Sequence, residues 1–221
     1  SLNIIEGHEV KSYRMTTING TDWYCDLAQS KATTLTYYYK VSGGSNGDRY
    51  EWQMVRHLLD MTSTTATEYT IYDRWNSMPD DSYLYSSAFT DCINHQEPEQ
   101  MKDTTYVQTL QLTVRAPQLR DGERLAVIGA HPSLGAWNPD KALPMTLHTY
   151  GEWAVNIDAS VLHEEPVELK FVIMNTAGHV MMWECGYNRT ITLPDMKKNQ
   201  VVVYHLNQAF FEIWNRKVAG T

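Results

Sequence analysis

The chain has 221 residues and a formal net charge of −8, so it is long enough for one large domain or for two of about 100 residues each. No basic cluster is longer than Lys197-Lys198, which argues against a nucleic-acid or anionic-membrane partner because phosphate binding needs a basic face. No apolar run reaches the roughly 18 residues that span a bilayer, and the first residues lack the basic and apolar regions of a signal peptide. We therefore expect a soluble, cytoplasmic protein that binds neither nucleic acid nor membranes.

Cysteine usage points to the same compartment. The three cysteines, Cys25, Cys92 and Cys185, are odd in number and show no Cys-x-x-Cys spacing, so neither a disulfide framework nor a zinc site is indicated. Free thiols are typical of a reducing compartment, and we expect no metal or cofactor. Among the aromatic residues, 7 Trp and 14 Tyr stand against 4 Phe, a bias toward side chains that join an apolar body to a polar tip.

Strand patterns dominate the chain and predict an all-β fold. Short runs of alternating or continuous apolar residues are separated by turn residues, and no long stretch follows the helical period. The predicted strands in chain order are 110–114, 124–129, 153–157, 167–174, 180–184 and 201–206. Helix is predicted only for 85–94 and for the tail after Asn207. This pattern is typical of a β-sandwich or barrel.

An internal repeat indicates that the chain holds two copies of one domain. Several residues of the second half recur in the first half, in the same order and at nearly constant spacing. The pairs are Met15 with Met145, Trp23 with Trp153, Lys40 with Lys170 and, after a one-residue difference in the next hairpin, Trp52 with Trp183. We therefore predict two immunoglobulin-like antiparallel β-sandwich domains in tandem.

The two copies are unequal. The second, predicted for 104–207, has a complete set of front strands, whereas the first, predicted for 1–73, begins shortly before Met15 and lacks them. A sandwich without its first strands exposes an edge and part of its core, so we expect that residues preceding Ser1 are absent from this sequence. Between the copies, 74–103 is predicted to be a packed linker, because its first part is rich in aromatics and has no glycine. The remaining 208–221 is predicted to be a tail that leads away from the second domain.

The stretch 182–189 is the candidate functional segment. It places Trp183, Glu184, Asn188 and Arg189 within eight residues, between two strand-like runs. A wide apolar ring beside several hydrogen-bonding groups suits a flat, hydroxyl-rich ligand such as a sugar. The residues alone leave a second interpretation open, in which a Trp at a strand end belongs to the core.

Four ordered motifs carry a resemblance to a known family. They are Gly129-Ala130-His131-Pro132-Ser133-Leu134-Gly135-Ala136-Trp137, the strand with Trp153, Glu168-Leu169-Lys170-Phe171, and Trp183-Glu184-Cys185-Gly186-Tyr187-Asn188-Arg189. Together they resemble the starch-binding domains of carbohydrate-binding module family 20. The resemblance implies a glucan site built from Trp137, Lys170, Trp183, Glu184 and Asn188. We expect Trp153 to lie in the core, and Arg189 to fix its loop through a salt bridge or carbonyl contacts.

The resemblance also points to weaker candidate sites. Asp121 stands where a second family site would have a tyrosine, and Tyr150 is the candidate substitute. In the first copy Lys40 and Trp52 are retained, while Gln53 stands where the second copy has its glutamate. Weak glucan binding and a purely structural role both remain open for this copy.

Two further segments resemble part of a larger enzyme. The stretch 83–90 and the tail 213–221, beside tandem starch-binding domains, resemble the amino-terminal region of disproportionating-type 4-α-glucanotransferases, where the tail leads into a family 77 (β/α)₈ catalytic barrel. The resemblance implies that this chain binds α-1,4-glucan (starch, glycogen or maltodextrin) without catalysis and targets an attached 4-α-glucanotransferase. Its partners are then the glucan and its own catalytic domain.

The residues themselves show no catalytic arrangement. Neither a nucleophile with its base nor a pair of carboxylates placed for a cleft is evident, so we expect the chain itself to be no enzyme. The alternative function is protein interaction, with sandwich domains that brace the catalytic barrel or an oligomer and have little glucan affinity.

Overall fold

The computed structural model describes residues 1–28, 34–92, 95–102, 106–162 and 166–212. The chain forms two compact units. Unit 1 is Ser1–Thr64 with Trp75–Ser82, and unit 2 is Thr65–Arg74 with the described residues from Tyr83 onward. The helices in these ranges include none with the length and apolar character of a membrane span. The tail 213–221 and the predicted boundary at 103–104 lie outside the described residues.

Unit 1 is built on one antiparallel sheet. Its order is β2-β1-β3-β4, and β5 also pairs with β3. The strands are β1 (Leu2–Glu6), β2 (Glu9–Tyr13), β3 (Thr34–Gly44), β4 (Gly47–Tyr50) and β5 (His57–Asp60).

Unit 2 contains two sheets. One has the order β10-β11-β7-β15-β6, and the other has the order β13-β12-β8-β9 with β14 also pairing with β12. The strands are β6 (Glu68–Tyr72), β7 (Gln108–Arg115), β8 (Arg124–Gly129), β9 (Leu143–Pro144), β10 (Thr146–Thr149), β11 (Glu152–Asp158), β12 (Val167–Met174), β13 (Val180–Trp183), β14 (Arg189–Ile191) and β15 (Gln200–Leu206). Strand β15 runs parallel to both β7 and β6. These two sheets confirm the all-β prediction.

The core of unit 2 lies between its two sheets. Leu112 on β7, Phe171 on β12 and Val202 on β15 are completely or almost completely buried in one apolar cluster. Because successive side chains of a strand point to opposite faces, Lys170 and Val172 of β12 lie on the face away from this cluster. Trp153 belongs to the same core at 3% exposure, as predicted.

Helices are short. The α-helix α1 spans Ser87–Cys92, and 3₁₀ turns span Ser82–Tyr85, Pro132–Leu134, Pro139–Lys141 and Ala159–Val161. The helix predicted for 85–94 is therefore shorter than expected, and Asn94 lies outside the described residues. The predicted helix after Asn207 is wrong for 207–212, which has no regular secondary structure.

The compact units divide the chain differently from the predicted boundaries. Strand β6, which the prediction 1–73 assigns to the first domain, pairs in parallel with β15 of unit 2, with Glu68 opposite Gln200. The predicted linker 74–103 is also divided, since Trp75–Ser82 belongs to unit 1 and the described residues from Tyr83 onward belong to unit 2. The physical reason is hydrogen bonding, because a strand belongs to the sheet whose backbone it pairs with.

Unit 1 repeats the strand pairing of the second sheet of unit 2. In unit 2, β12 pairs with β8, β13 and β14. In unit 1, β3 pairs with β1, β4 and β5 in the same chain order. Among the described residues of unit 1, the counterpart of the first sheet is reduced to the isolated bridge between Thr16 and Tyr24.

Candidate functional site

The outer face of the second sheet of unit 2 brings together three of the predicted site residues. Val172 lies directly opposite Trp183 in the pairing of β12 with β13, so Lys170 and Trp183 share this face. Trp137 packs against the apolar cluster on this outer face, which includes Ile128 and Val172. Trp183 is 40% exposed, which answers the question left open by the sequence: it is a surface residue and does not belong to the core.

The loop between β8 and β9 holds Trp137 in an uncommon backbone conformation. The backbone N–H of Trp137 donates to the carbonyl of Gly129 at 2.9 Å, while the φ angles of Ala136 and Trp137 are 48° and 60°. Residues other than glycine are rarely left-handed, and such conformations cluster at functional sites. The turn that precedes them is fixed by His131, whose Nδ1 accepts from the backbone N–H of Ser133 at 3.1 Å.

Gly129 is required by close packing in this loop. A Cβ at this position would lie 2.5 Å from the carbonyl oxygen of Glu168 and 2.8 Å from the side chain of Leu134. The buried Leu134 thereby anchors the loop against β12. The glycines and the leucine of the motif hold the backbone, and its tryptophan is left on the outer face.

Lys170 fixes the second loop of the site. Its ammonium donates to the carbonyl of Glu184 at 2.9 Å and also to the carbonyl of Gly186. An ammonium has three donors, so one N–H remains for a ligand. Lys170 therefore positions the loop 184–188 and can also donate to a ligand hydroxyl.

Glu184, which was predicted to contact the sugar, has its carboxylate inside the loop. Its side chain is on the opposite side of the strand from Trp183 and the residue is only 6% exposed. One carboxylate oxygen accepts from the backbone N–H of Phe171 at 3.1 Å, and Arg189 Nε lies 2.9 Å from the other. A second guanidinium nitrogen completes the ion pair. The carboxylate is thus occupied inside the loop and does not face the site.

Arg189 has the loop-fixing role expected of it. Besides its ion pair with Glu184, it donates to the carbonyls of Asn207 at 2.8 Å and Gln208 at 3.2 Å. Its guanidinium lies 5.0 Å from the ring centroid of Phe171. Arg189 therefore ties the loop to the segment that follows β15, and the prediction of a structural role is confirmed.

Two side chains of this loop are open to solvent. Asn188 is exposed, and its role in ligand binding stays a prediction. Tyr187, which the sequence analysis did not select, is 98% exposed. Its position in the sequence could have identified Tyr187, because it is an aromatic residue in a loop between two strands and is adjacent to Asn188.

A known family matches the segment that contains these residues. Residues 107–203 match the family model described as starch binding domain, CBM_20. By this match the segment is similar to a starch-binding domain. It covers a little under half of the chain, and it contains Trp137, Lys170, Trp183 and Asn188.

The chain spans only a small part of the whole enzymes that it matches, but nearly all of one isolated module. A curated α-amylase from Streptomyces violaceus is 34% identical over 73 residues, which is 33% of this chain and 12% of that enzyme. Among solved structures, the γ-CGTase from alkalophilic Bacillus clarkii is 26% identical with a TM-score of 0.36, over 46% of this chain and 15% of its own. The family 20 module of the maltotetraose-forming amylase from Pseudomonas saccharophila STB07 is 21% identical with a TM-score of 0.36, over 44% of this chain and 99% of its own.

Tyr150, the candidate for a second site, has partners within unit 2. Its hydroxyl donates to the carbonyl of Leu84 at 3.0 Å, and its ring packs edge-on against Tyr85 with centroids 6.1 Å apart. Its hydroxyl and one side of its ring are thus already engaged, and the expectation that Tyr150 substitutes for the missing tyrosine stays a prediction. These contacts come from Leu84 and Tyr85, which are distant from Tyr150 in sequence.

In unit 1 the predicted pairing of Lys40 and Trp52 with Lys170 and Trp183 is out of register. Lys40 lies opposite Tyr50, as Val172 lies opposite Trp183. Tyr50, not Trp52, therefore occupies the position of Trp183.

A second pairing gives the same register. Tyr37 lies opposite His57, as Leu169 lies opposite Arg189. Tyr38, which follows Tyr37, is therefore the counterpart of Lys170.

Trp52 and Gln53 have structural contacts in unit 1. The backbone N–H of Trp52 donates to the carbonyl of Asn76 at 2.8 Å, and the Gln53 side chain donates to the carbonyl of Glu51 at 2.9 Å. The counterpart of Glu184 is Glu51, which is 3% exposed and accepts from the backbone N–H of Tyr39 at 2.7 Å. The expectation that Gln53 replaces the glutamate is therefore wrong.

Proposed function

We propose that unit 2 contains a starch-binding domain that binds α-1,4-glucan without catalysis, through the outer face that carries Trp137, Lys170 and Trp183 and through the exposed Asn188. The observation that carries this proposal is the placement of two tryptophans on one sheet face, one of them 40% exposed, next to a lysine with a remaining donor. Starch, glycogen and maltodextrin are the candidate natural glucans.

The chemistry of the ligand matches this face. A glucose ring presents C–H bonds on its faces and hydroxyls on its edges, so an indole can stack on the face while polar groups bond the edge. Each stack is expected to add about 0.5–1.5 kcal/mol beyond the apolar area that it buries. Hydrogen bonds from Lys170 and Asn188 add about 1 kcal/mol each. A shallow site of this kind binds in the micromolar to millimolar range, roughly −8 to −4 kcal/mol.

We further propose that the domain targets an attached enzyme, a 4-α-glucanotransferase, to its substrate in the cytoplasm. The α-amylase relative supports an attached catalytic domain, because the shared segment makes up 12% of that enzyme. The resemblance of 83–90 and 213–221 to the disproportionating transferases supports the transferase. The three cysteines are free, as is typical of proteins in a reducing compartment.

Affinity electrophoresis in a gel that contains amylopectin tests glucan binding. The chain is expected to be retarded, and Trp183→Ala is expected to lose most of the retardation while its circular dichroism stays unchanged. Tyr106→Ala is the matched control, because Tyr106 lies in the same unit and is also 40% exposed. Migration of the parent chain at the same rate with and without amylopectin would end the proposal.

Protein interaction is the second candidate function, and one observation favours it for unit 1. Trp23 is 56% exposed and Ile18 is 90% exposed, whereas Trp153, the repeat counterpart of Trp23, is buried in the core of unit 2. Light scattering of the chain tests this candidate: a dimer that Trp23→Ser converts to a monomer would support it, and a monomeric parent would exclude self-association.

A further inference from the structure

Unit 1 carries an aromatic face of its own, which we call the tyrosine face and define by Tyr38, Lys40, Tyr50 and Arg56. Tyr38 and Lys40 alternate along β3 with Tyr37, which is 5% exposed, so they point to the opposite side of the sheet. Tyr50 lies directly opposite Lys40 on β4 and therefore shares their side. Tyr50 is 52% exposed.

The two tyrosine rings of this face are splayed. Their centroids are 6.5 Å apart and their planes are inclined by 37°. Lys40 Nζ lies 5.0 Å from the centroid of the Tyr50 ring and 2.6 Å from Asp48, and Arg56 Cζ lies 5.9 Å from the centroid of Tyr38. Each of the two tilted rings thus has a cation over it, and the carboxylate of Asp48 pairs with Lys40.

The tyrosine face occupies the same place on its sheet as the proposed glucan face of unit 2. By strand register, Tyr50 takes the position of Trp183 and Tyr38 takes the position of Lys170. The loop that carries Trp137 has no counterpart, since β1 and β2 are joined by a tight turn with Glu6 opposite Glu9. Unit 1 therefore lacks the loop tryptophan and gains a second ring on the strand itself.

We propose that the tyrosine face is a second binding site for a linear α-glucan, with one sugar ring stacked on each of Tyr38 and Tyr50. The tilt between the rings suits a curved chain, because consecutive sugars then present their faces at an angle. Lys40 and Arg56 donate to ring-edge hydroxyls and Asp48 accepts from them. This proposal rests on the proposed function for its ligand class, but it uses different residues in a different unit.

Calorimetric titration with β-cyclodextrin counts the working sites and separates the two proposals. The parent chain is expected to bind at two sites, and both Trp183→Ala and Tyr50→Ala are expected to leave one. Tyr50→Phe is expected to retain the site because the ring is kept. Tyr24→Ala is the matched control, since Tyr24 lies in unit 1 and is also 52% exposed. In a chain that already carries Trp183→Ala, loss of the Tyr38 ring is expected to weaken the remaining affinity about three- to tenfold, the effect of one aromatic contact.

Each outcome decides between the proposals. A single site that Trp183→Ala abolishes and Tyr50→Ala leaves intact overturns the tyrosine face and retains the proposed function. A single site that only Tyr50→Ala abolishes supports the tyrosine face and overturns the assignment in unit 2. An equal effect of Tyr24→Ala and Tyr50→Ala on affinity would also overturn the tyrosine face. So would binding at two sites by a chain that carries both Trp183→Ala and Tyr50→Ala.

Discussion

Replacement of Arg189 by methionine is expected to destabilise unit 2, although Arg189 lies away from the outer face. Methionine keeps much of the apolar stem but removes every donor, so the carboxylate of Glu184 remains buried without its cation. Removal of one partner of a buried ion pair costs about 3–5 kcal/mol, and the bonds to the carbonyls of Asn207 and Gln208 are lost as well. This loss is a large part of the roughly 5–15 kcal/mol that stabilise a typical domain.

Urea denaturation followed by circular dichroism measures this effect by linear extrapolation. Lys197→Met is the control, because the ion pair of Lys197 with Glu68 is exposed, with 74% of the lysine side chain accessible, and exposed pairs contribute about 0–1 kcal/mol. The double variant Glu184→Met with Arg189→Met is expected to recover much of the loss, since it leaves no buried unpaired charge.

Two results would refute this reasoning. One is an Arg189→Met chain that unfolds within about 1 kcal/mol of the parent, because a buried pair cannot be broken at so small a cost. The other is a Glu184→Gln chain with unchanged stability and weaker glucan binding. That result would restore Glu184 as a direct sugar contact.

Three further predictions concern packing, acid stability and the loop of the site. Gly129→Ala is expected to lower the free energy of unfolding by about 1–3 kcal/mol, as overpacking does, because the new Cβ would meet the carbonyl of Glu168 at 2.5 Å; an unchanged urea midpoint would contradict it. Burial acts to raise the pKa of Glu152, but His148 and nearby cations outweigh it and lower this pKa to about 2. The resulting stability is present above the unfolded pKa of about 4.3 and is lost as the pH falls toward 2, so Glu152→Gln is expected to flatten this fall in melting temperature; parallel acid curves would contradict it. Lys170→Met is expected to weaken β-cyclodextrin binding and to speed amide hydrogen exchange in 184–188, and unchanged exchange would show that the loop does not depend on the ammonium.

Local pattern predicted much of unit 2 and the position of its site. The strands from 110 to 206 follow apolar alternation, and the buried Leu112 and Phe171 lie where this alternation puts them. The motif from Gly129 to Trp137 indicated Trp137 as a site residue, but it did not predict the left-handed backbone of Ala136 and Trp137. Alternation also places Glu184 on the side opposite to Trp183, so the strand pattern alone gives its inward direction, whereas the family resemblance favoured a sugar contact.

The remaining errors come from interactions between residues distant in sequence. Tyr150 is covered by Leu84, and β6 pairs with β15; neither partner can be read from a local pattern. The sequence comparison assigned the wrong counterparts in unit 1. It kept the spacing of the Met15–Met145 pair through β3, and so it paired Lys40 with Lys170. Strand pairing, which is visible only in the structure, makes Tyr38 and Tyr50 the counterparts of the site residues.

A crystal structure of the chain with maltoheptaose would show whether the outer face of unit 2 binds the glucan. We expect glucose rings stacked on Trp137 and Trp183, and Glu184 still paired with Arg189. The Lys170 ammonium and the Asn188 amide are expected within hydrogen-bonding distance of sugar hydroxyls. Sugar density elsewhere in unit 2 with the outer face empty, or a Glu184 carboxylate turned outward to bond the glucan, would contradict it.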